Sequence, residues 1–223
     1  YPAAHEIVAV SNGVADDAAR VLGLRRERIT TIYNPVINPS LRAQAAEPPA
    51  HPWFSDGGAP VVLGVGRLNA QKDFPTLIKA FAQLRTPARL MILGEGEERA
   101  SLEAQAAPFG DRIALPGFSA NPFPAMTACR VFALSSRFEG LPGALVQAMA
   151  CGAPVVSTDC PSGPREILED GRWGVLVPVG DDKALAAALE ESLTRPRPVY
   201  PPEASARFEE EPVLDAYERL LLG

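Results

Sequence analysis

The sequence predicts an α/β fold in which helices cover both faces of a doubly wound parallel sheet. Short apolar runs alternate with helical patterns, which is the order of consecutive β-α-β units. Runs such as APVVSTD (153–159) show no polar alternation, as expected for strands that are buried on both faces of a sheet. At 223 residues, of which 47% are hydrophobic and 22% charged, the chain can bury the core that such a sheet requires.

Predicted strands and helices follow one another along most of the chain. Strands are predicted at 61–66, 88–94, 112–117, 130–136, 153–159 and 173–178. Helices are predicted to begin at Phe74 with Asp73 as N-cap, at Glu97, at Pro142 as a first-turn residue, at Asp181 and at Ser205. A separate β-α-β piece is predicted within the first 38 residues. The proline-dense stretch 194–204 excludes regular helix.

Charge, hydropathy and cysteine spacing argue against several classes of protein. The net charge of −6 argues against a nucleic-acid partner, because phosphate backbones are bound by clustered Lys and Arg. No apolar stretch approaches the roughly 20 residues of a membrane helix, and no signal-peptide pattern is visible. Cys129, Cys151 and Cys160 lack metal-ligand spacing and fall in predicted core elements, which favours free thiols in a reducing compartment. We therefore predict a cytoplasmic protein.

The loop GVGRLNAQKDF (64–74) joins a predicted buried strand to a helix. It therefore lies at the carboxyl end of a parallel strand, where open α/β sheets bind their ligands. Gly66 lets the backbone approach a ligand closely, and Arg67 and Lys72 bring two cations to the same edge. Arginine can bind phosphate oxygens in pairs, whereas lysine acts as a compact charge. The spacing alone fits a phosphate site and two solvated surface cations equally well.

The segment 137–168 is predicted to form a loop, a helix, a buried strand and the start of another helix. Glu139 comes just before a Gly-Leu-Pro turn that opens the first of these helices. Because the first N–H groups of a helix are unpaired and carry partial positive charge, this helix start can bind an anion. Taken alone, Glu139 is also explained as an acid that complements the helix dipole.

These motifs resemble the donor-binding signature of the retaining GT-B glycosyltransferases, family four in particular. The signature reads E-G-x-P, a helix with a second Glu, A-x-G-x-P-V-V and then G-x-x-E-I. The matching residues are Glu139, Gly140, Pro142, Ala148, Ala150, Gly152, Pro154, Val155, Val156, Gly163, Glu166 and Ile167. The chain departs from the signature at Gln147, where the family has its second Glu.

The resemblance extends to the start of the chain. The family closes its N-terminal domain with V-x-V-S-x-x-V and I-x-N-P-V, and the residues that match are Ser11, Val14, Ile32, Asn34, Pro35 and Val36. The fold implied is the Rossmann-like, C-terminal half of a GT-B architecture. We accordingly divide the chain into the closing β-α-β piece of the N-terminal domain (1–38), a linker (39–60), a nucleotide-sugar-binding domain (61–196) and a proline-rich segment with a helix (197–223).

The resemblance also implies roles for individual residues. The donor-binding residues that it implies are Gly66, Arg67, Lys72, Phe118, Glu139, Gly140, Leu141, Pro142 and Gln147. Arg67 and Lys72 would bind the donor diphosphate, and Glu139, the implied catalytic residue, would bind hydroxyls of the donor sugar beside the reacting carbon. Phe118 falls where the family meets the nucleobase, although an ordinary core or loop aromatic fits the position equally.

Gln147 would hold the ribose through its oxygen, with a weaker bond than a carboxylate makes. From the family pattern we expect Gln147→Glu to bind nucleotide equally well or better.

We predict no metal and no other cofactor. The chain has no Asp-x-Asp pair to ligate a divalent ion, and Arg67, Lys72 and the helix start after Pro142 would meet the charge of the departing diphosphate.

The activity implied is transfer of a sugar, with retention of configuration, from a nucleotide diphosphate sugar, in particular a UDP-sugar. The acceptor would be a saccharide or lipid-linked sugar held by a missing N-terminal domain, and the full-length protein could associate peripherally with the inner face of a membrane. The isolated chain is expected to bind nucleotide weakly and to show no turnover.

Two alternatives remain at this point. One is a non-catalytic nucleotide-sugar-binding module. The other is an NAD-binding dehydrogenase domain, which is disfavoured because neither GVGRLN (64–69) nor GEGEER (94–99) has the third glycine of G-x-G-x-x-G.

Overall fold

The computed structural model describes residues 4–222; residues 1–3 and 223, at the ends of the first and last predicted segments, lie outside the described residues. The strands are β1 (Ile7–Ala9), β2 (Ile29–Thr31), β3 (Val61–Val65), β4 (Arg89–Leu93), β5 (Ile113–Gly117), β6 (Val131–Leu134), β7 (Val155–Thr158) and β8 (Val175–Val177). The helices are α1 (Asn12–Leu22), α2 (Leu41–Ala45), α3 (Phe74–Ala82), α4 (Arg99–Ala106), α5 (Phe123–Ala128), α6 (Gly143–Ala150), α7 (Pro164–Ile167), α8 (Asp182–Thr194) and α9 (Glu210–Leu222).

The main sheet has six parallel strands in the order β5-β4-β3-β6-β7-β8. Alternate residues of each strand pack against helices on opposite faces. In β3, Val62 joins a core with α3, α4 and α8, whereas Val61 and Leu63 join a core with α5 and α6. All six predicted strands are present, each slightly shorter than predicted. The doubly wound parallel α/β fold is therefore confirmed.

The strand order creates a crevice at the centre of the sheet. From β3 the chain moves outward to β4 and β5, and then returns to place β6 on the other side of β3. The loops that leave β3 and β6 therefore diverge to opposite sides of the sheet. Such a topological switch point is where doubly wound sheets bind ligands beyond the carboxyl ends of their strands.

Helix α4 begins at Arg99, two residues later than predicted, and the starts of α3 and α6 differ from their prediction in the role of one residue each. Asp73 does not cap α3 with its side chain, because its backbone is left-handed (φ 47°) and its buried carboxylate lies instead 3.2 Å from Nε of Arg137. Pro142 precedes α6 as its N-cap residue rather than lying within its first turn, since its ψ of 91° is extended. By contrast, Asp181 does cap α8, accepting hydrogen bonds from the N–H groups of Lys183 and Ala184.

The C-terminal helix begins later than Ser205. A 3₁₀ turn at Ala206–Phe208 comes first, and α9 starts at Glu210. The break has a physical cause in the backbone of Ile37, whose N–H donates to Phe208 O and whose carbonyl accepts from Glu210 N. In the proline-dense stretch the chain forms only a short 3₁₀ turn, Pro202–Ala204, as the prolines require.

The N-terminal piece is a second, smaller unit. Strands β1 and β2 pair in parallel, and α1 covers them with a small core formed by Ile7, Ala9, Ala15 and Ile29. The predicted linker 39–60 is not wholly irregular, since it contains α2 and a 3₁₀ turn at Pro52–Phe54. Within residues 4–222, the helices are all too short or too polar to span a membrane.

Candidate functional site

The loops at the switch point meet through a partly buried ion pair. Lys72, at the end of the loop after β3, places Nζ 2.6 Å from Oε1 of Glu139, in the loop after β6. The two side chains are only 17% and 7% exposed. Because both side chains are largely shielded from water, the ion pair restricts their motion and fixes the Glu139 carboxylate at the mouth of the crevice.

Two further side chains orient the Glu139 carboxylate. The hydroxyl of Ser136 donates to Oε1 at 2.6 Å, and Nε2 of Gln71 donates to Oε2 at 3.3 Å. Oε1 thus receives two hydrogen bonds and Oε2 receives one. A carboxylate has about four lone-pair sites, so Oε2 keeps the larger capacity to accept a hydrogen bond from a ligand.

Hydrogen bonds to backbone carbonyls join the surrounding loops to one another. Arg137 N donates to Gln71 O, and the Ser135 hydroxyl donates to Lys72 O at 2.7 Å, which joins the loops after β3 and β6. Glu139 N donates to Pro161 O at 2.8 Å, which joins the loop after β6 to the loop after β7. The site is therefore assembled from three adjacent strand ends.

A cleft of about 420 Å³ opens beside this cluster. Gly66, Arg67, Gly94 and Phe118 are among its lining residues. Arg67 is exposed, and the ring of Phe118 is 77% exposed. Gly66 has a second role that the sequence did not suggest: a Cβ there would lie 3.1 Å from Cε of Lys72, so the glycine makes room for the lysine stem.

The start of α6 contacts the segment that follows β2. Nε2 of Gln147 donates to the carbonyl of Val36 at 3.2 Å. A Cβ at Gly143, one turn earlier on the same face, would lie 3.1 Å from Cγ1 of Val36. Val36 therefore partly covers the face of α6 that carries Gln147, the residue that was predicted to hold the ribose.

The N-terminal piece reaches the same region through polar contacts. The Ser11 hydroxyl donates to Gly140 O at 2.8 Å. The carboxylate of Glu166 accepts from Asn12 N at 3.0 Å and from the Tyr33 hydroxyl at 2.6 Å. Burial first, and then the contact with Glu166, raises the pKa of Tyr33 to about 12. Tyr33 therefore stays a hydroxyl donor at neutral pH.

The cysteine nearest the cluster is not set up as a nucleophile. Cys160 lies in the loop after β7, and burial, reinforced by the negative charge of Glu139, raises the pKa of its thiol to about 11. Reactive cysteines need a lowered pKa. Residues 4–222 contain no group of three or more His, Cys, Asp or Glu side chains arranged to hold a metal ion. Metal-independent binding stays a prediction.

The structure brings some of the predicted residues together and separates others. Lys72 and Glu139 contact each other, and Gly66, Arg67 and Phe118 line the cleft. The other predicted residues do not line it: Lys72, Glu139, Gly140, Leu141, Pro142 and Gln147. Sequence reasoning missed Gln71 and Ser136. Their only signal is their position beside a predicted residue, Gln71 next to Lys72 and Ser136 three residues before Glu139.

Comparison with known proteins identifies the family of the chain. The family described as "Glycosyl transferases group 1" matches residues 59–195. The chain is 33% identical over 195 residues to the Campylobacter jejuni enzyme N-acetylgalactosamine-N,N'-diacetylbacillosaminyl-diphospho-undecaprenol 4-alpha-N-acetylgalactosaminyltransferase, covering 86% of this chain and 52% of the relative. It is 36% identical over 171 residues to the lipopolysaccharide core biosynthesis glycosyltransferase LpsE of Rhizobium meliloti, covering 73% of this chain and 50% of the relative. The chain thus spans about half the length of these relatives.

Solved structures show the same fold. The apo form of the lipopolysaccharide outer core galactosyltransferase WaaB superposes with a TM-score of 0.79 at 25% identity, covering 98% of this chain and 62% of that one. Anabaena Alr3699/HepE, crystallised with UDP and glucose, superposes with a TM-score of 0.79 at 23% identity, covering 98% and 63%. The Rossmann-like fold predicted from the motifs, that of the C-terminal half of a GT-B architecture, is therefore confirmed. By its matched family and its relatives, this chain belongs to the glycosyl transferases group 1 family.

Proposed function

We propose that this chain is the donor-binding part of a retaining glycosyltransferase that moves a sugar from a nucleotide diphosphate sugar to a saccharide or lipid-linked acceptor. The observation that carries the proposal is the partly buried Lys72–Glu139 pair at the switch point, beside the cleft that Arg67 lines. Cations and an oriented carboxylate at one sheet edge suit a ligand with an anionic centre and a hydroxyl-rich end.

The diphosphate would be bound by Arg67, Lys72 and the first turn of α6. Lys72 has three ammonium donors, and Glu139 accepts one of them, so the others can reach phosphate oxygens. Arg67 is exposed at the cleft and presents a planar fork of donors. The charge of Lys72 is held in place by Glu139 before the ligand arrives, so it can stabilise the negative charge that develops on the departing diphosphate.

The donor sugar would lie against Glu139. Its Oε2 carries the single hydrogen bond from Gln71 and can accept from a sugar hydroxyl. Lys72 and Ser136 already orient the carboxylate. A sugar that binds to it would therefore be held with its anomeric carbon at a fixed position in the site. Such positioning is a large part of the rate in two-substrate reactions.

The nucleobase would pack on the exposed ring of Phe118, where aromatic stacking is favourable. Uridine is our choice of base because a protein of the same fold was crystallised with UDP. A lipid-linked acceptor is suggested by the name of the Campylobacter relative. An N-terminal domain would supply the acceptor side, and the reaction would take place in the cytoplasm, at the inner face of the membrane.

The test is a calorimetric screen of the 223-residue chain against UDP, GDP, ADP and NAD. We expect UDP to bind, weakly, because only one wall of the cleft is present, and we expect no sugar transfer by this chain alone. Binding of NAD alone would overturn the enzyme class. Robust turnover by the isolated chain would refute the need for a second domain. A full-length protein that binds the donor yet transfers no sugar to any acceptor would indicate a non-catalytic module.

A further inference from the structure

A second ion pair joins the two loops that Lys72 and Glu139 join. Asp73 follows Lys72 in the loop after β3, and its carboxylate lies 3.2 Å from Nε of Arg137, in the loop after β6. The Asp73 side chain is 2% exposed, whereas that of Arg137 is 60% exposed. Within residues 4–222, Arg137 is the only cation that pairs with this carboxylate. The two loops are therefore joined by two ion pairs of opposite polarity.

The local backbone does not account for an aspartate at position 73. The φ of Asp73 is 47°, a left-handed conformation that glycine adopts freely and that strains other residues, asparagine and aspartate least. Its carboxylate does not cap α3 either, although aspartate is a favoured capping residue. The contact that the carboxylate does make is with the guanidinium of Arg137.

The opposite polarity of the two pairs makes a shifted arrangement of the loops unfavourable. Lys72 and Asp73 are neighbours in one loop, and their partners lie close together in the other. A shift that exchanged partners would bring Asp73 against Glu139, two negative charges. It would also bring Lys72 against Arg137, two positive charges. Specifying one arrangement against its alternatives is a role for which ion pairs are well suited.

We infer that Asp73 and Arg137 are positioning residues, whose ion pair fixes the loops after β3 and β6 against each other and so holds Lys72 and Glu139 in place for the donor. The part that concerns the donor rests on the proposed function. Phosphate oxygens that bind the Lys72 ammonium compete with the Glu139 carboxylate for its charge. The link between Lys72 and Glu139 then weakens, and the second pair keeps the loops together.

The first test measures how firmly the loops are joined and needs no ligand. The N–H of Arg137 donates to Gln71 O at 2.8 Å, from one loop to the other, and its hydrogen exchange reports how often the loops separate. Asp73→Asn keeps the size of the side chain and tolerates the left-handed backbone, but it loses the charge. We expect exchange at this N–H to become about fivefold faster.

The matched control for hydrogen exchange is Glu191→Gln, which removes an ion pair with Arg195 at the end of α8. The side chains of that pair are 50% and 66% exposed. The control should leave exchange at the Arg137 N–H unchanged. An unchanged rate in Asp73→Asn as well would overturn the inference.

The second test uses the sign of a change in affinity. Removal of a negative charge near an anionic ligand should by itself tighten binding. If Asp73 instead positions Lys72 and Glu139, Asp73→Asn should weaken the binding of UDP about fivefold in calorimetry. The affinity for UMP should change by less than about twofold, because UMP lacks the second phosphate. Arg137→Gln should also weaken UDP binding, and Arg137→Lys, which keeps the cation, should weaken it less.

The two measurements separate the possible outcomes. Unchanged or tighter binding of UDP by Asp73→Asn would contradict the inference, and so would equal losses for UDP and UMP, which indicate a merely structural role. If Asp73→Asn does not fold, Arg137→Gln provides the same comparison, since its side chain is 60% exposed. If the wild-type chain binds neither nucleotide, the proposed function fails, and hydrogen exchange still decides whether the pair fixes the loops.

Discussion

The loop after β3 carries two cations only five residues apart, and their surroundings differ. Lys72 is 17% exposed and is paired with Glu139, which is 7% exposed and also bonded to Ser136. Arg67 is exposed beside the open ring of Phe118. At the Lys72 end of the site, which we call the closed end, the side chains are held by contacts with one another. At the Arg67 end, the open end, the side chains are exposed to solvent. Residues at the closed end should therefore affect folding as well as binding, and residues at the open end should affect binding alone.

The largest effect is expected from removing one partner of the Lys72–Glu139 pair, whose side chains are 17% and 7% exposed. Lys72→Ala would leave the Glu139 carboxylate out of water without its cation, and we expect the free energy of unfolding to fall by about 3 kcal/mol. Urea denaturation followed by circular dichroism measures this. Arg67→Ala is the matched control, because its side chain is exposed, and it should shift stability by less than about 0.5 kcal/mol.

A double variant separates the loss of charge from the loss of packing. In Lys72→Met combined with Glu139→Gln, no unpaired charge remains, and the oxygen of the introduced amide can still accept from Ser136, so most of the stability should return. Equal free energies of unfolding for Lys72→Ala and Arg67→Ala would show that the two ends of the site do not differ in their contribution to folding.

The difference between the two cations shows which features of the site could be predicted from the sequence and which could not. The strands and helices were predictable because hydrophobic periodicity is local, and Arg67, Lys72 and Glu139 could be identified from motifs and from their position at strand ends. Which cation is buried was not predictable. Lys72 and Glu139 are 67 residues apart, and their contact depends on the return of the chain to β6. Asp73 was misassigned for a similar reason, since a long-range partner, Arg137, takes its carboxylate.

Both Arg67 and Lys72 should contribute to the affinity for UDP. Arg67→Ala and Lys72→Ala are each expected to weaken binding of UDP by roughly 1.5 to 3 kcal/mol, the range for a hydrogen bond to a charged group. Calorimetry at fixed ionic strength measures this. Because exposed charges are screened more than buried ones, the loss in Arg67→Ala should shrink as salt is raised from about 0.05 to about 0.5 M. An Arg67→Ala chain with unchanged affinity would remove the open end from the phosphate site.

A smaller effect is expected from the exposed aromatic ring. Phe118→Ala should weaken UDP binding by about 1 kcal/mol, the low end for stacking of a base on an aromatic side chain, and should leave binding of inorganic pyrophosphate unchanged. Phe138→Ala is the control, since its ring is 56% exposed but does not line the cleft. Equal losses for UDP and pyrophosphate in Phe118→Ala would mean that the ring does not contact the base.

The smallest effect is expected from chelation. In the proposed site, Arg67, Lys72 and the first turn of α6 would neutralise the charge of the diphosphate without a metal ion. EDTA should therefore leave the affinity for UDP unchanged, and added Mg²⁺ should not restore it in Lys72→Ala. The measurement is a pair of calorimetric titrations of the wild-type chain, with EDTA and with Mg²⁺ in excess. If EDTA abolishes binding, a divalent ion carries the diphosphate, and the two cations of the loop after β3 serve folding and orientation instead.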